Sequence, residues 1–222
     1  MAEAYIIDAC RTPRGIGRVG KGALAEMHPQ QLAATVLKAI ADRNSINTAE
    51  VDDVIWGTSS QSGKQGRDLA RMAALDAGYD VRASGVTIDR FCGSGITSVN
   101  LAASTIIAGM SDMVVAGGTE MMSYTSSMAD PKSPAFMDAG NLRLRARHPQ
   151  SHQGVCADAI ATMEGIARED LDALALESQI RADKAIKGGH FRKSLVPVHR
   201  EDGALALDKE EFPRPQTTRE GL

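Results

Sequence analysis

The sequence predicts an α/β fold, in which a parallel sheet lies between layers of helices, followed by an α-rich second domain. Through about the first 120 residues, short apolar runs of strand length alternate with amphipathic stretches of helix length. The last of these runs, residues 113–116, is continuously apolar. Such runs are typical of strands buried on both faces of a parallel sheet. Alternation of strands and helices is in turn characteristic of layered α/β domains.

Four strands and three helices are predicted in the first domain. The strands cover residues 5–7, 54–56, 86–88 and 113–116, and the helices cover about residues 29–43, 67–77 and 93–108. In the first helix, Leu32, Val36 and Ile40 recur at every fourth position, with Ala33 and Leu37 beside them, and predict one apolar stripe. Gly78 and Gly109 are placed to end the second and third helices.

The third predicted helix, residues 93–108, differs from the others because it contains no charged residue. Its apolar side chains lie nearly all round the helix, which is typical of a buried helix. We therefore expect it to run through the middle of the domain, with a layer on either side.

The character of the sequence changes after Glu120, and two domains are predicted, residues 1–120 and residues 121–222. Three prolines and a basic run interrupt residues 121–150, which are expected to be irregular. Helices at about 155–164 and 168–187 follow, and then a strand at 195–198. The second domain is therefore expected to be rich in helix and to cover the first.

Composition excludes several classes of function. The 222 residues carry a net charge of −3, which leaves no basic field for nucleic acid or an acidic membrane surface. No apolar run reaches the about 18 residues of a membrane-spanning helix. Acidic residues near the N-terminus are unlike a secretory signal. These observations predict a cytoplasmic protein that binds neither nucleic acid nor membrane.

Three cysteines, Cys10, Cys92 and Cys156, are widely spaced and form no Cys-x-x-Cys pair, so reduced thiols are expected. Cys10 and Cys156 are expected to pack in the core. Histidines are expected at the surface, and no histidine or cysteine spacing indicates a metal site.

A Gly-x-Gly-x-x-Gly pattern occurs at residues 15–20, after the first predicted strand. A dinucleotide site would need a helix opening at the third glycine. Because the next helix is expected only near Pro29, we interpret the pattern as a chance match in a loop.

Cys92 lies between the third predicted strand and the third predicted helix. Strand-to-helix turns place side chains at the carboxyl edge of the sheet, where α/β proteins hold their sites. A helix N-terminus also offers N–H groups and partial positive charge, which favour a thiolate and can stabilise an oxyanion. Gly93 and Gly95 remove side chains beside the sulfur. The position therefore favours a nucleophile, with a small buried core cysteine as the alternative.

Four motifs, in order along the chain, resemble those of the thiolase family. They are Arg11-Thr12-Pro13-x-Gly15, Cys92-Gly93-Ser94-Gly95, Ala116-Gly117-Gly118-x-Glu120-x-Met122-Ser123 and Pro213-Arg214-Pro215-x-Thr217-Thr218. The resemblance runs from about Glu3 to Leu222. It implies a thiolase-like α-β-α half with a buried central helix, and it implies that Cys92 is the nucleophile.

The resemblance also implies the reaction, an acyl transfer in which coenzyme A is a substrate and no further cofactor is needed. Cys92 would attack the keto carbon of a 3-ketoacyl-CoA, release acetyl-CoA and pass the acyl group to a second CoA. The reverse reaction would condense two acyl-CoAs. The backbone N–H of Cys92 would form part of the oxyanion hole. Such an enzyme would serve fatty acid and lipid metabolism and, at full length, would form a homodimer or homotetramer.

Coenzyme A contacts are implied at two places. Residues 151–154 resemble the loop with which the family contacts the pantetheine arm, which makes His152, Gln153 and Gly154 binding candidates. Arg214 resembles an arginine near the adenosine phosphates, a role that suits a guanidinium. A surface histidine and an exposed structural arginine are the alternative interpretations.

Two motifs of the family do not occur in this sequence. They are a Gly-His-Pro motif, whose histidine activates the nucleophile, and a late Cys-x-Gly motif, whose cysteine acts as acid and base. Family members are also longer and consist of two similar halves. We therefore expect this chain to be the N-terminal part of such an enzyme and nearly inactive alone, because catalytic residues act as a unit. The alternatives are a non-catalytic acyl-CoA-binding or dimerisation fragment, a truncation with no independent role, and a relative of the ketoacyl synthases.

Overall fold

The computed structural model describes residues 3–128 and 137–222. It divides into two compact units, one formed by Met1–Ser127 with Phe191–Phe212 and the other by Met128–His190 with Pro213–Leu222. The predicted boundary at residue 120 assigned all later residues to the second domain, whereas in the structure Phe191–Phe212 returns to the first unit. Long-range backbone contacts create that return: the Arg11 N–H donates to the Ser194 carbonyl at 2.8 Å, and the Val196 N–H donates to the Arg11 carbonyl at 2.9 Å.

A three-stranded parallel sheet forms the centre of the first unit and confirms the α/β class. Strand β1, Asp53–Gly57, lies between β2, Ser84–Ile88, and β3, Val114–Gly118. At the carboxyl ends of the strands, Gly57 pairs with both Ile88 and Gly118. The three loops that follow these strands therefore start at one level along one edge of the sheet.

Two helices cover one face of this sheet. They are α1, Pro29–Asn44, and α2, Leu69–Asp76, and both helices pack on the core that contains Val54 and Trp56 of β1. Within the predicted stripe, Ala33 and Leu37 are fully buried, whereas Leu32, Val36 and Ile40 are half-buried. The stripe is therefore confirmed, and its deepest line passes through Ala33 and Leu37. Small alanines there allow α1 to approach α2 closely.

Helix α3, Ser94–Ile107, packs on the other face against β1 and β3. Its buried side chains are Ser94, Ser98 and Ala102. The expectation that this helix is buried all round is wrong for this chain, since Ile96 is 73% exposed and Ile107 is 53% exposed. An apolar helix of this kind needs a layer on either side, and the described residues provide the sheet alone.

The predicted strand at residues 5–7 is also not found. Tyr5, Ile6 and Ile7 are exposed and belong to no sheet ladder among the described residues. An apolar run becomes a strand only where a neighbouring strand edge accepts its hydrogen bonds. The first bridge in the chain joins Arg11 to Leu195 instead.

A small antiparallel hairpin completes the first unit, formed by β4, Val198–His199, and β5, Leu205–Leu207. The predicted strand at 195–198 overlaps only its beginning, and β5 was not expected. Val198 and Leu207 form a second small core with Leu24.

Glu210 and Glu211, which follow the hairpin, hold the loop that contains the Gly-x-Gly-x-x-Gly pattern of residues 15–20. Glu211 accepts the N–H groups of Ile16 and Ala23 at 3.1 Å, while the nearly buried Glu210 pairs with Arg11. No helix opens at Gly20 in this part of the structure, because α1 begins at Pro29. A carboxylate thus occupies the loop's N–H groups, which supports reading the Gly-x-Gly-x-x-Gly pattern as a structural loop.

The second unit is helical, as predicted. It contains α5, Leu142–Arg147, α6, Gln153–Glu164, and α7, Arg168–Lys187. Of these helices, α6 and α7 were predicted, whereas α5 lies in the stretch 121–150 that was expected to be irregular. A further short helix, α4, Met122–Ser127, lies in the same stretch and belongs to the first unit. Residues 129–136 of that stretch lie outside the described residues. Within the ranges described, no helix combines the length and the apolar character that crossing a membrane requires.

Leu37 tests the position of the core in the first unit. Leu37→Ala should lower the free energy of unfolding by about 2–5 kcal/mol, because it opens a cavity between α1 and α2. Leu75→Ala, on the same layer but 39% exposed, should cost less than about 1.5 kcal/mol. Urea denaturation of both variants measures the difference. Equal losses would contradict the described packing.

Candidate active site

Cys92 is exposed on a sharp turn that joins β2 to α3. Four residues, 89–92, separate the end of the strand from Gly93, the N-cap of the helix. Phe91 adopts a left-handed backbone with φ of 47°, which is uncommon for a bulky residue. This local reversal lets the chain leave the sheet and enter the helix while the thiol faces outward. The predicted place of Cys92 at the carboxyl edge of the sheet is therefore confirmed.

Hydrogen bonds within the turn fix its shape. The Phe91 N–H donates to the Asp89 carboxylate at 2.7 Å, and the Gly93 N–H donates to the Arg90 carbonyl at 3.0 Å. The Ser94 N–H donates to the Phe91 carbonyl at 3.1 Å. These contacts close the backbone around Cys92 and leave its side chain at the surface.

Gly93 and Gly95, the glycines beside Cys92, differ in the space that surrounds them. A side chain at Gly95 would meet nothing within 4 Å, so this face of the turn is open to a ligand. At Gly93 a β-carbon would lie 3.3 Å from the Arg90 carbonyl oxygen, which is a tight contact. Gly95 therefore provides the open approach expected from the sequence, whereas Gly93 serves mainly the shape of the turn.

A polar network joins the two neighbouring loops on the same edge of the sheet. Glu120, after β3, accepts hydrogen bonds from the Ser59 N–H and hydroxyl at 2.7 Å each, and from Gln65 at 3.0 Å. The fully buried Gln65 amide oxygen in turn accepts the Met121 N–H at 2.7 Å. The loops after β1 and β3 are thereby held together next to the turn that carries Cys92.

Glu120 is ionised in this network. Partial loss of contact with water raises the pKa of this carboxyl, but hydrogen bonds from Gln65, Ser59 and Thr58 outweigh that effect and hold the pKa below its usual value. Sequence reasoning placed Glu120 in a family motif and gave it no role. Its partners lie at least 55 positions away along the chain, so no local pattern could have identified them.

The coenzyme A candidates lie in the second unit, on its surface. His152 is the N-cap of α6, and its Nδ1 accepts the Gly154 N–H at 3.1 Å. Gln153 is the first residue of that helix and is exposed. Arg214 is exposed, and its backbone N–H donates to the Gln179 side chain at 2.7 Å. No hydrogen bond among the described residues joins Arg214 to the 152–154 segment, so their use by one ligand stays a prediction.

The remaining cysteines and histidines differ partly from expectation. Cys10 is half-buried, its thiol donates to the Val36 carbonyl at 3.6 Å, and burial raises the pKa of that thiol. Cys156 is exposed on α6, so the expectation that it packs in the core is wrong. His28 is half-buried because it caps α1, and burial lowers its pKa. Across residues 3–128 and 137–222, no group of three potential ligands could hold a metal ion.

Comparison with known proteins gives a consistent result. The thiolase N-terminal domain family matches residues 4–222. A beta-ketoadipyl-CoA thiolase of Acinetobacter baylyi is 37% identical across 100% of this chain and 59% of its own length. A steroid 3-ketoacyl-CoA thiolase of Mycobacterium tuberculosis is 36% identical across 94% of this chain and 52% of its own length.

A solved structure agrees with these relatives. The acetyl-CoA acetyltransferase of Bacillus anthracis superposes with a TM-score of 0.81 at 33% identity, over 99% of this chain and 57% of that one. The chain thus spans little more than half the length of the relatives it matches.

Glu120 provides a test of the network beside Cys92. Glu120→Gln should lower the free energy of unfolding by about 1 kcal/mol near neutral pH, a figure reduced for partial exposure of the carboxylate. Because the folded-state pKa lies below the usual 4.5, this stabilisation is complete above that pH and is lost as the pH falls through the folded-state value.

Urea denaturation of the wild type and the variant, near neutral pH and below pH 4.5, measures the difference. The exposed Glu26, on the turn before α1, is the matched control, and Glu26→Gln should have little effect at either pH. A difference between wild type and Glu120→Gln that persists unchanged in acid would contradict the network.

Proposed function

The chain belongs to the thiolase family, through its match to the N-terminal domain, and from this premise we propose that it forms the nucleophile-bearing part of a CoA-dependent acyltransferase. The enzyme would cleave a 3-ketoacyl-CoA with CoA, or condense two acyl-CoAs in reverse. The observation that carries the proposal is the exposed Cys92 thiol on the turn at the carboxyl edge of the sheet.

The proposed cleavage proceeds in two balanced steps. In the first, the Cys92 sulfur bonds to the keto carbon, and the bond between that carbon and the α-carbon breaks. The α-carbon keeps the electron pair, takes one proton, which balances the proton lost by the Cys92 thiol, and leaves as acetyl-CoA. In the second step, the thiol sulfur of another CoA bonds to the acyl carbon, the bond between that carbon and the Cys92 sulfur breaks, and Cys92 regains a proton as the shortened acyl-CoA leaves.

This chain provides three things to that chemistry. The turn holds the sulfur at the surface, Gly95 leaves the approach open, and the adjacent helix end carries partial positive charge. The base and the proton donor that the family resemblance implies have no matching motif in the sequence. We therefore propose that turnover needs further residues of the kind the longer relatives carry outside the matched region.

The exposed face of α3 supports the same proposal. Ile96, Val99 and Ile107 leave a contiguous helix side uncovered, although the helix has no charged residue to solvate. Exposed apolar faces of this kind mark places where another surface packs. In the proposed enzyme the remaining part of the fold covers α3. The homodimer or homotetramer and the cytoplasmic location remain part of this proposal.

Coenzyme A would be bound by the second unit. His152, Gln153 and Gly154 lie together at the start of α6, and the Arg214 guanidinium is available at the surface to a phosphate. A second candidate function, a non-catalytic CoA-binding or dimerisation module, is favoured by the exposed α3 face and by the missing base. The enzyme and the binding module both predict CoA binding, a dimerisation module does not, and only the enzyme predicts turnover that depends on Cys92.

The activity of a Cys92 variant distinguishes the enzyme from the non-catalytic module. The product of the complete reading frame that encodes this chain should cleave acetoacetyl-CoA with CoA. This reaction is measured as the loss of acetoacetyl-CoA absorbance. Cys92→Ala should lower the rate by about a thousandfold or more, because it removes the nucleophile. Cys156→Ser, which changes the other exposed thiol, should leave the rate near that of the wild type. Turnover that survives Cys92→Ala would exclude the assignment.

His152 tests the proposed CoA site. Calorimetric titration of the chain with CoA should show binding, and His152→Ala should raise the Kd by about fivefold or more, equivalent to about 1 kcal/mol. His148→Ala, an exposed histidine of the same unit, should leave the Kd unchanged. The absence of CoA binding by the folded chain would argue against both the site and the binding-module alternative.

A further inference from the structure

Of the side chains that hold the turn around Cys92, that of Ser94 bonds to it from the far side of the thiol. Its hydroxyl oxygen accepts the Arg90 N–H at 2.9 Å and donates its own proton to the Phe91 carbonyl at 2.6 Å. Both bonds run from the first residue of α3 to residues that precede Cys92. The hydroxyl therefore ties together the two sides of the turn between which the nucleophile lies.

Ser94 is itself fixed by the sheet. It is only 4% exposed, and a β-carbon built on Gly57 would lie 2.8 Å from the Ser94 β-carbon. The start of α3 is thus pressed against the end of β1, so the Ser94 hydroxyl has a defined position. A group placed in this way can hold a neighbouring turn in one geometry.

Ser98, one helical turn further on, offers a direct comparison. Its hydroxyl is also buried, and it donates to the carbonyls of Gly95 at 2.7 Å and Gly117 at 2.8 Å. Ser98 therefore ties α3 to β3. Neither of its bonds spans Cys92, so the two serines share burial and helix face but not their relation to the thiol.

We propose that Ser94 is a positioning residue for the Cys92 thiol, an inference that rests on the proposed role of Cys92 as nucleophile. The left-handed backbone at Phe91 is unfavourable for a bulky residue and persists only where its surroundings hold it. Without the Ser94 hydroxyl, the Arg90 N–H loses its acceptor and the turn relaxes. The sulfur then loses its defined position at the start of α3 and its open approach to an electrophile.

The test compares Ser94→Ala with Ser98→Ala in the 222-residue chain. Each variant loses one buried hydroxyl from the same face of α3, so both should lower the Tm to a similar extent. Each folded variant is treated with iodoacetamide. The cysteine sulfur displaces iodide from the carbon of the reagent, so that a thioether forms and iodide and the thiol proton are released. Peptide mass spectrometry measures the alkylation rates of Cys92 and the exposed Cys156 in the same sample.

Ser94→Ala should lower the ratio of the Cys92 rate to the Cys156 rate by about threefold or more, since small displacements of a reacting group are costly. Ser98→Ala should leave the ratio unchanged. Equal ratios in the two variants, or an unchanged ratio in Ser94→Ala, would overturn the proposal. Iodoacetamide requires no CoA, so this result is separate from the thiolysis assay on which the proposed function depends.

Hydrogen exchange on the wild-type chain provides a measurement that needs no variant to fold. The Arg90 N–H, whose acceptor is the Ser94 hydroxyl, should be protected about as well as the first hydrogen-bonded amides of α3. Exchange of that amide at the rate of an unprotected loop would show that the hydroxyl does not hold the turn, and it would overturn the proposal.

Discussion

The close contact between helix α3 and the central strand β1 determines where the Cys92 thiol lies. Gly57, the last residue of β1, has no side chain, and any β-carbon there would meet the Ser94 backbone and side chain at 2.8 Å. Because α3 can approach this closely, its N-terminus rests at the carboxyl end of the sheet. A larger residue at Gly57 would push the helix start away and carry the turn with it.

The same crowding explains two glycines at the end of β3. A side chain on Gly117 would lie 2.5 Å from the Trp56 ring, and one on Gly118 would lie 2.7 Å from the Gly57 carbonyl oxygen. Gly117 therefore leaves room for the indole, whose N–H donates to Thr119 at 2.9 Å, and Gly118 leaves room for the backbone of β1. Loops packed so tightly bring Glu120 to the Ser59 and Gln65 groups, and this network stiffens the edge of the sheet beside the turn that carries Cys92.

Several loops of the first unit are held by long-range hydrogen bonds and ion pairs, whereas some of its apolar surface is exposed. Carboxylates fix its loops from a distance, as Glu210 does for Arg11 and Glu211 does for the N–H of Ile16. By contrast, Ile96 on α3 and Ile6 near the N-terminus are largely exposed. In the proposed enzyme, further surface would cover these exposed side chains; the chain itself matches little more than half of its relatives' length.

The sequence by itself determined the α/β class, most helices and strands, and the place of Cys92, since these depend on local periodicity, glycine stops and motifs that lie within a few residues. Tertiary structure alone decided which side of the α1 stripe is fully buried, that residues 5–7 form no strand, and that α3 is covered on one side. It also decided the partners of Glu120 and the contact of Ser94 with Gly57, which join distant segments of the chain. Burial and strand pairing require a neighbouring surface, and a local pattern shows that an element needs such a surface without showing whether the chain provides it.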